Sequence, residues 1–127
     1  MNYILDTHVF LWYILSDNNL SQKHLEIIQN TQNTIYLSVA SVWEVTVKQN
    51  IGKLELPEKA AFYLPQQRIK HKILSLPISE DTIKQLHTLP DFHKDPFDRM
   101  IICQALENDF TILSADGLIK KYSVKVA

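Results

Sequence analysis

The chain has 127 residues, a length that predicts one domain, spanning 1–127, able to bury about two-thirds of its unfolded surface around a single core. Hydrophobic residues make up 46% of the sequence and charged residues 21%, a balance that argues against extensive disorder and against a fibrous protein. Thirteen Lys and Arg against fourteen Asp and Glu give a net charge of -1, so the overall charge provides no attraction for a polyanion.

The single cysteine, Cys103, lies in an apolar helical segment and cannot form an internal disulfide, which favours a reducing compartment. The apolar run from Val9 to Leu15 lacks a basic leader and is far shorter than the roughly 20 residues that a membrane span needs. We therefore expect a soluble, cytoplasmic protein with no membrane partner.

Short apolar runs alternate with helix-like segments along the whole chain. Strands are predicted at 3–5, 35–37, 73–76 and 111–113, with room for a fifth at 124–126. Helices are predicted at about 9–15, 22–31, from Ser38 or Ser41 to 50, 58–68, 79–88, 96–108 and 118–122. Strands separated by helices predict a parallel sheet covered on both faces. The expected fold is α/β, with three layers and a central parallel sheet of four to five strands.

Four acidic residues lie near the junctions of these elements. Asp6 follows the first strand, Asp98 lies in the first turn of the helix after Asp95, and Asp116 follows the fourth strand. Glu44 lies on a helix among apolar residues, where an unpaired buried carboxylate would cost several kcal/mol. Because ligands collect at the carboxyl edge of an open α/β sheet, we expect these four acids to converge there.

Each acid also has a local explanation. Asp6 and Asp116 can cap the helices that follow them, and Lys48 can pair with Glu44 one turn away. With Pro96 after it, Asp95 is a good N-cap, and an acid at Asp98 can bond back to the cap. On local grounds alone, helix capping is the preferred interpretation of Asp95 and Asp98.

The acids carry more weight as a set, because clustered carboxylates repel one another unless they are protonated or bridged by a cation. Oxygen ligands suit Mg²⁺ or Mn²⁺, which can activate water and stabilise charge on a phosphodiester. Zinc is disfavoured, since Cys103 has no cysteine partner and the five histidines show no tight ligand spacing. The set therefore predicts metal-dependent phosphodiester cleavage with the ligands Asp6, Glu44, Asp98 and Asp116.

Basic and imidazole groups are also expected near this site. His8 and His93 flank it, but a surface or packing role is the preferred interpretation of both. The basic residues expected closest to the site, and therefore to a substrate phosphate, are Lys48, Lys53, Lys94 and Arg99.

Four motifs occur in a fixed order: YILDTH at 3–8, SVWE at 41–44 with GKL at 52–54, DPFDRMI at 95–101, and LSAD at 113–116. Together they resemble the PIN-domain ribonucleases, and specifically the VapC-like toxins of bacterial toxin-antitoxin modules. The resemblance covers nearly the whole chain. It implies a PIN-like fold in which an acidic cluster binds Mg²⁺ (or Mn²⁺) and cleaves RNA, and the matching positions here are Asp6, Glu44, Asp98 and Asp116.

The resemblance implies further details of the site and its partners. Asp98 is preferred to Asp95 as the third acid, because the residues after it, beginning with Arg99, match the family helix better. A hydroxyl beside the first acid, here Thr7, is implied as a secondary contact. A homodimer, inhibited by a small antitoxin inserted near the active site, is implied as the assembly.

Other phosphate-handling domains also place an Asp after their first strand. A haloacid-dehalogenase-like phosphatase would have a second Asp two residues later, where this chain has His8. A receiver-type domain would have a phosphoacceptor Asp after its third strand, where this chain has Pro77 to Ser79. A PIN-like fold kept only as an idle binding scaffold is disfavoured because all four acids are present.

Overall fold

The computed structural model describes all residues, Met1–Ala127, as one α/β unit. The elements, in chain order, are β1 (Asn2–Leu5), α1 (Thr7–Ile14), α2 (Gln22–Gln29), β2 (Thr34–Ser38), α3 (Val39–Asn50), α4 (Ala60–Lys70), β3 (Leu74–Leu76), α5 (Glu80–Leu86), α6 (Pro96–Asn108), β4 (Thr111–Leu113) and a 3₁₀ turn (Ile119–Lys121). The predicted elements are confirmed except for the fifth strand, with boundaries that differ by a few residues.

The four strands form a parallel sheet in the order β3-β2-β1-β4, so β1 lies in the interior between β2 and β4. This order differs from the 2-1-3-4-5 order of receiver-type domains, which excludes that alternative. The allowed fifth strand does not form. The C-terminal segment meets β4 only at a single parallel bridge between Ile112 and Val126.

Alternate residues of the strands enter two separate cores. Tyr3 and Leu5 of β1 pack in a core with residues of α1, α3 and α4, whereas Ile4 packs on the opposite face with residues of α6. Strands that are buried on both faces have few positions for polar residues, which explains their near-continuous apolar runs. The predicted three-layer arrangement is therefore confirmed.

Side-chain caps define where the helices begin. Ser38, rather than Ser41, is the N-cap of α3, with its Oγ accepting the amide of Ala40 at 3.0 Å. α4 begins two residues later than expected because Gln49 holds its start: the Gln49 amide donates to the carbonyl of Glu58 and accepts from the N–H of Ala60. No helix of the structure combines the length and apolar character that crossing a bilayer requires.

Candidate active site

Asp6 lies where the carboxyl ends of three neighbouring strands meet. Its backbone N–H donates to the carbonyl of Leu113 at 2.9 Å, and its Oδ2 accepts the Ser114 hydroxyl at 2.7 Å. The side chain makes no capping hydrogen bond to α1, so the local capping interpretation of Asp6 is wrong. The residue is only 4% exposed, and its Oδ1 has no hydrogen-bond partner.

Glu44 is carried to the site by α3 and is 2% exposed. Its Oε2 accepts from the Lys48 ammonium at 2.6 Å, as the helical spacing allows, but its Oε1 is buried without a partner. Burial alone would lower the pKa of Lys48, yet the hydrogen bond and charge of Glu44, with the charges of Asp95 and Asp98, raise it. Lys48 therefore balances only part of the negative charge here.

The acidic pair at the start of α6 divides into a cap and a site residue. Asp95 Oδ1 accepts the backbone N–H groups of Phe97 and Asp98, at 2.8 and 3.2 Å, so the capping interpretation holds for Asp95. The Asp98 carboxylate does not bond back to the cap. Its Oδ2 lies 3.1 Å from Nε2 of His93 instead, which places Asp98 at the site.

Asp116 contacts both the loop that follows it and His93. Its Oδ1 accepts the backbone N–H of Leu118 at 2.9 Å, and its Oδ2 lies 2.7 Å from Nε2 of His93. The His93 ring is buried between the Asp98 and Asp116 carboxylates, so the surface interpretation of His93 is wrong. The sequence indicated that His93 flanks the site, but no ligand spacing assigned it a role there. The only sequence signal is its position two residues before the cap Asp95.

Burial, together with mutual repulsion, raises the pKa of two of the carboxyls. Burial, reinforced by the charges of Asp6, Asp95 and Glu44, raises the pKa of Asp98 to about 7. Burial also raises the pKa of Asp6, against the Ser114 hydrogen bond, and the charges of Glu44 and Asp116 add to this rise. The four predicted acids thus lie within electrostatic reach of one another, in a single cluster at the carboxyl edge of the sheet.

Asp116 shows the opposite behaviour. Burial alone would raise its pKa, but hydrogen bonds from the Leu118 N–H and from His93 outweigh that effect and hold the pKa below its ordinary value. His8, which is exposed beside the cluster, acts in the same direction on Asp116. The protein itself therefore stabilises the charge of Asp116.

Two grooves open beside the cluster, and both are lined by His8. One, of about 280 Å³, also contains Thr7, Glu44, Lys48 and Lys53. The other, of about 290 Å³, contains Asp6, Trp12 and Asp116. Two larger depressions, of about 500 and 520 Å³, lie beside α2 and His71 and contain none of the four acids. Charge and geometry therefore identify this site better than volume does.

The oxygen atoms of the cluster are suitable ligands for a divalent cation. Asp6 Oδ1 and Glu44 Oε1 are buried and accept no hydrogen bond, and a buried polar atom without a partner is costly. Carboxylate oxygens are the ligands that Mg²⁺ and Mn²⁺ prefer. The Thr7 hydroxyl, which donates to Ser41 Oγ at 2.8 Å, lines the adjoining groove next to Asp6.

The expected phosphate contact at Arg99 requires a correction. Its guanidinium donates to the backbone carbonyls of the segment before α6, contacts the carboxylate of Asp91, and is 15% exposed. The carbonyls belong to Leu86, Leu89, Pro90 and His93. Arg99 therefore holds the loop that carries His93 and has little capacity left for a phosphate. Lys53 and Lys94 are exposed.

Replacing Arg99 with lysine should lower the free energy of unfolding by on the order of 2 kcal/mol, because a single ammonium cannot reach several divergent carbonyls. Urea unfolding would measure the loss. Arg68→Lys is the matched control, since Arg68 donates to one carbonyl only, that of Ile73, and a smaller loss is expected. Equal losses in the two variants would contradict this role for Arg99.

The PIN domain family matches residues 3–125 of the chain, nearly its full length. The chain belongs to the PIN-domain family. The resemblance of the four motifs to PIN domains is thereby confirmed.

One curated relative and several solved structures are similar to this PIN domain. Ribonuclease VapC16 of Mycobacterium tuberculosis (strain ATCC 25618 / H37Rv) is 44% identical over 41 residues, which span 32% of this chain and 29% of that protein. VapBC2 from Rickettsia felis, solved bound to a DNA fragment from their promoter, aligns with a TM-score of 0.72 and 16% identity over 100% of this chain and 98% of that chain.

Two further structures share the fold. Mycobacterium tuberculosis VapC20, described as a sarcin-ricin loop cleaving toxin, aligns with a TM-score of 0.64 and 14% identity over 96% of this chain and 95% of that chain. FitAcB from Neisseria gonorrhoeae aligns with a TM-score of 0.59 and 18% identity over 98% of this chain and 95% of that chain. At such low identities the likeness is one of fold.

Proposed function

We propose that this PIN domain is a metal-dependent endoribonuclease, the toxin of a cytoplasmic toxin-antitoxin pair. The observation that carries the proposal is the carboxylate cluster, in which Asp6 Oδ1 and Glu44 Oε1 are buried without any protein donor. A purely structural role would leave no reason for burying these oxygens unpaired. Mg²⁺ or Mn²⁺ bound by Asp6, Glu44, Asp98 and Asp116 would satisfy them.

The chain's own residues would prepare the site for such a cation. Ser114 fixes one oxygen of Asp6 and leaves the other to bind, and Lys48 does the same for Glu44. A cation in this position would supply an activated water and positive charge for a phosphodiester oxygen. Catalysis by Asp6, Glu44, Asp98 and Asp116 would then consist of holding that charge in a fixed, partly buried place.

RNA is the proposed substrate. The name of VapC16 describes a ribonuclease, and VapC20 is described as cleaving the sarcin-ricin loop. On this chain, Lys48, Lys53 and His8 line the groove next to Glu44, where they could receive phosphates that the net charge of -1 does not attract. Thr7, in the same groove, is a secondary contact in this proposal.

Incubation of the purified protein with a mixed-sequence single-stranded RNA would test the function. Cleavage is expected with Mg²⁺ or Mn²⁺ and should stop when a chelator is added. Cleavage that continues undiminished in chelator would reject the metal mechanism. A protein that binds the cation and RNA without cutting any RNA would be the idle scaffold.

The proposed inhibitor is a small antitoxin whose tail covers the groove beside Trp12 and Trp43. Trp12 lines the groove with Asp6 and Asp116, and Trp43, 59% exposed, packs edge-on against Phe97 at a centroid distance of 4.9 Å. Such a tail could present an Arg to the acids or a carboxylate to the lysines while apolar residues cover the tryptophans. The homodimer implied by the resemblance is also a proposal, which light scattering would test.

Inhibition by this antitoxin should weaken as salt rises, because pairing between exposed charges is screened. A titration with the antitoxin tail peptide at several salt, Mg²⁺ and RNA concentrations would measure it. We expect the inhibition constant to rise with RNA or Mg²⁺ as well. Inhibition that changes with none of the three would place the antitoxin away from the site, at a dimer interface.

A further inference from the structure

His93 lies in the loop between α5 and α6, with its side chain 10% exposed. Its Nε2 is 2.7 Å from Asp116 Oδ2 and 3.1 Å from Asp98 Oδ2, so one nitrogen spans two carboxylates from different parts of the chain. By distance alone, the three side chains could share a metal ion. The other ring nitrogen decides against this interpretation.

Nδ1 of His93 accepts the backbone N–H of Asp95 at 3.1 Å. A backbone N–H can only donate, so the lone pair of Nδ1 is used and the ring hydrogen lies on Nε2. Binding a metal through Nε2 would move that hydrogen to Nδ1, where it would face the Asp95 amide hydrogen. Metal-binding histidines show the reverse pattern, in which the second nitrogen donates.

The backbone of His93 is held as firmly as the ring. Its N–H donates to the Tyr122 hydroxyl at 2.8 Å, and its carbonyl accepts from Arg99 at 3.2 Å. The Tyr122 hydroxyl in turn donates to the carbonyl of Pro90 at 2.7 Å. With Asp95 fixing the ring, contacts from three residues set the direction of the Nε2–H before any ligand binds.

We infer that His93 is a positioning residue, whose Nε2–H ties Asp98 to Asp116 and fixes their orientation for a cation without binding it. Asp98 belongs to α6 and Asp116 to the loop after β4. The chain between them runs through most of α6 and all of β4, so it does not by itself fix the distance between the two carboxylates. The Nε2–H of His93 reduces their repulsion at one oxygen of each carboxylate. This inference rests on the proposed metal site for its purpose, but its geometry can be tested separately.

Two substitutions at His93 separate its two nitrogens. In His93→Asn, the amide oxygen can replace Nδ1 as acceptor for Asp95, but nothing reaches the carboxylates. In His93→Gln, the amide nitrogen can replace Nε2 as donor to the carboxylates, but nothing accepts from Asp95. Mn²⁺ titrated calorimetrically into each folded variant would give its affinity without any measurement of cleavage.

We expect His93→Asn to weaken Mn²⁺ binding by roughly 10- to 100-fold, as loss of a residue that orients metal ligands does, and His93→Gln to stay within a few-fold of wild type. Equal, large losses in both variants would identify His93 as a direct ligand and overturn the inference. Weaker Mn²⁺ binding in His93→Gln alone would show that the contact with Asp95 matters and the contact with the carboxylates does not. Unchanged Mn²⁺ binding in both variants would show that His93 has no positioning role. Either result overturns the inference.

The tautomer provides a test that needs no variant. Long-range ¹H–¹⁵N correlation spectra of the wild-type protein, with and without diamagnetic Mg²⁺, should show hydrogen on Nε2 and none on Nδ1 in both states. Hydrogen on Nδ1 when Mg²⁺ is bound would overturn the inference. If the protein binds no metal at all, the proposed function fails, whereas the spectrum of the metal-free protein still decides the hydrogen bonding of His93.

Discussion

Asp98→Asn should abolish RNA cleavage, whereas Asp95→Asn, one helical turn away, should leave it nearly unchanged. Both substitutions remove one negative charge and keep the shape of the side chain. Asp98 faces the cluster, and the asparagine amide would remove a charge that holds the cation, so we expect a loss on the order of 10²- to 10⁴-fold. Asp95 uses its Oδ1 to cap α6, which an asparagine oxygen does equally well.

Initial rates of cleavage of a labelled RNA, in Mg²⁺, would measure both variants. Circular dichroism would confirm that each is folded, and Asp6→Asn should lose activity to a similar extent as Asp98→Asn. A loss of cleavage in Asp95→Asn with activity retained in Asp98→Asn would show that the wrong acid had been chosen. Activity retained in Asp6→Asn and Asp98→Asn alike would remove the carboxylate cluster from the reaction.

The same Asp98→Asn variant should be more stable than the wild type when no metal is present. The pKa of Asp98, about 7 in the folded protein, lies above the ordinary value of 3.8, so its ionised form is less favourable in the folded state than in the unfolded state. The resulting penalty is complete above about pH 7 and disappears as the pH falls towards about 4. We expect the free energy of unfolding of the variant to exceed that of the wild type by on the order of 2 kcal/mol at pH 8 in chelator. The difference should be smaller at pH 5.

With a divalent cation present, the wild type should instead be more stable than Asp98→Asn. Because the cation binds the folded protein only, at a hundred times its dissociation constant it would stabilise the wild type by about 2.7 kcal/mol. The variant, which lacks one ligand, should gain much less. Urea unfolding at pH 5 and pH 8, in chelator and in Mn²⁺, would give the four values for each protein. A wild type that gains no stability from Mn²⁺ or Mg²⁺ would contradict the proposed metal site.

Asp116→Asn is a control, because its effect on stability should be opposite to that of Asp98→Asn. The pKa of Asp116 is held below its ordinary value, so its ionised form adds stability that is present above the unfolded value and is lost as the pH falls through the folded value. In chelator at pH 8, Asp116→Asn should therefore destabilise the protein while Asp98→Asn stabilises it. If both substitutions changed the free energy of unfolding in the same direction, general repulsion among the carboxylates, and not the surroundings of each one, would determine their effect on stability.

The sequence by itself determined the fold class, the helix and strand order and the four candidate acids. These depend on local information: apolar runs of strand length, capping residues such as Ser21 and Ser79, and acids placed directly after strands. A parallel sheet brings its strand ends to one edge, so Asp6 and Asp116 could be expected to meet before any coordinates were known. The missing fifth strand and the late start of α4 lay beyond local patterns.

Only the tertiary structure decided which role each polar group takes. Capping was the preferred local interpretation of both Asp95 and Asp98, and the motif match favoured Asp98 as the site residue. The structure shows that Asp95 alone caps α6, whereas Asp98 contacts His93. The hydrogen bonds of His93 and Arg99 were also not predictable from the sequence. Their partners, Asp116 and the carbonyls of the preceding loop, come within reach only when the chain folds back on α6. Hydrogen bonds act over about 3 Å, whereas sequence patterns describe neighbours along the chain, so contacts between distant segments are fixed by packing alone.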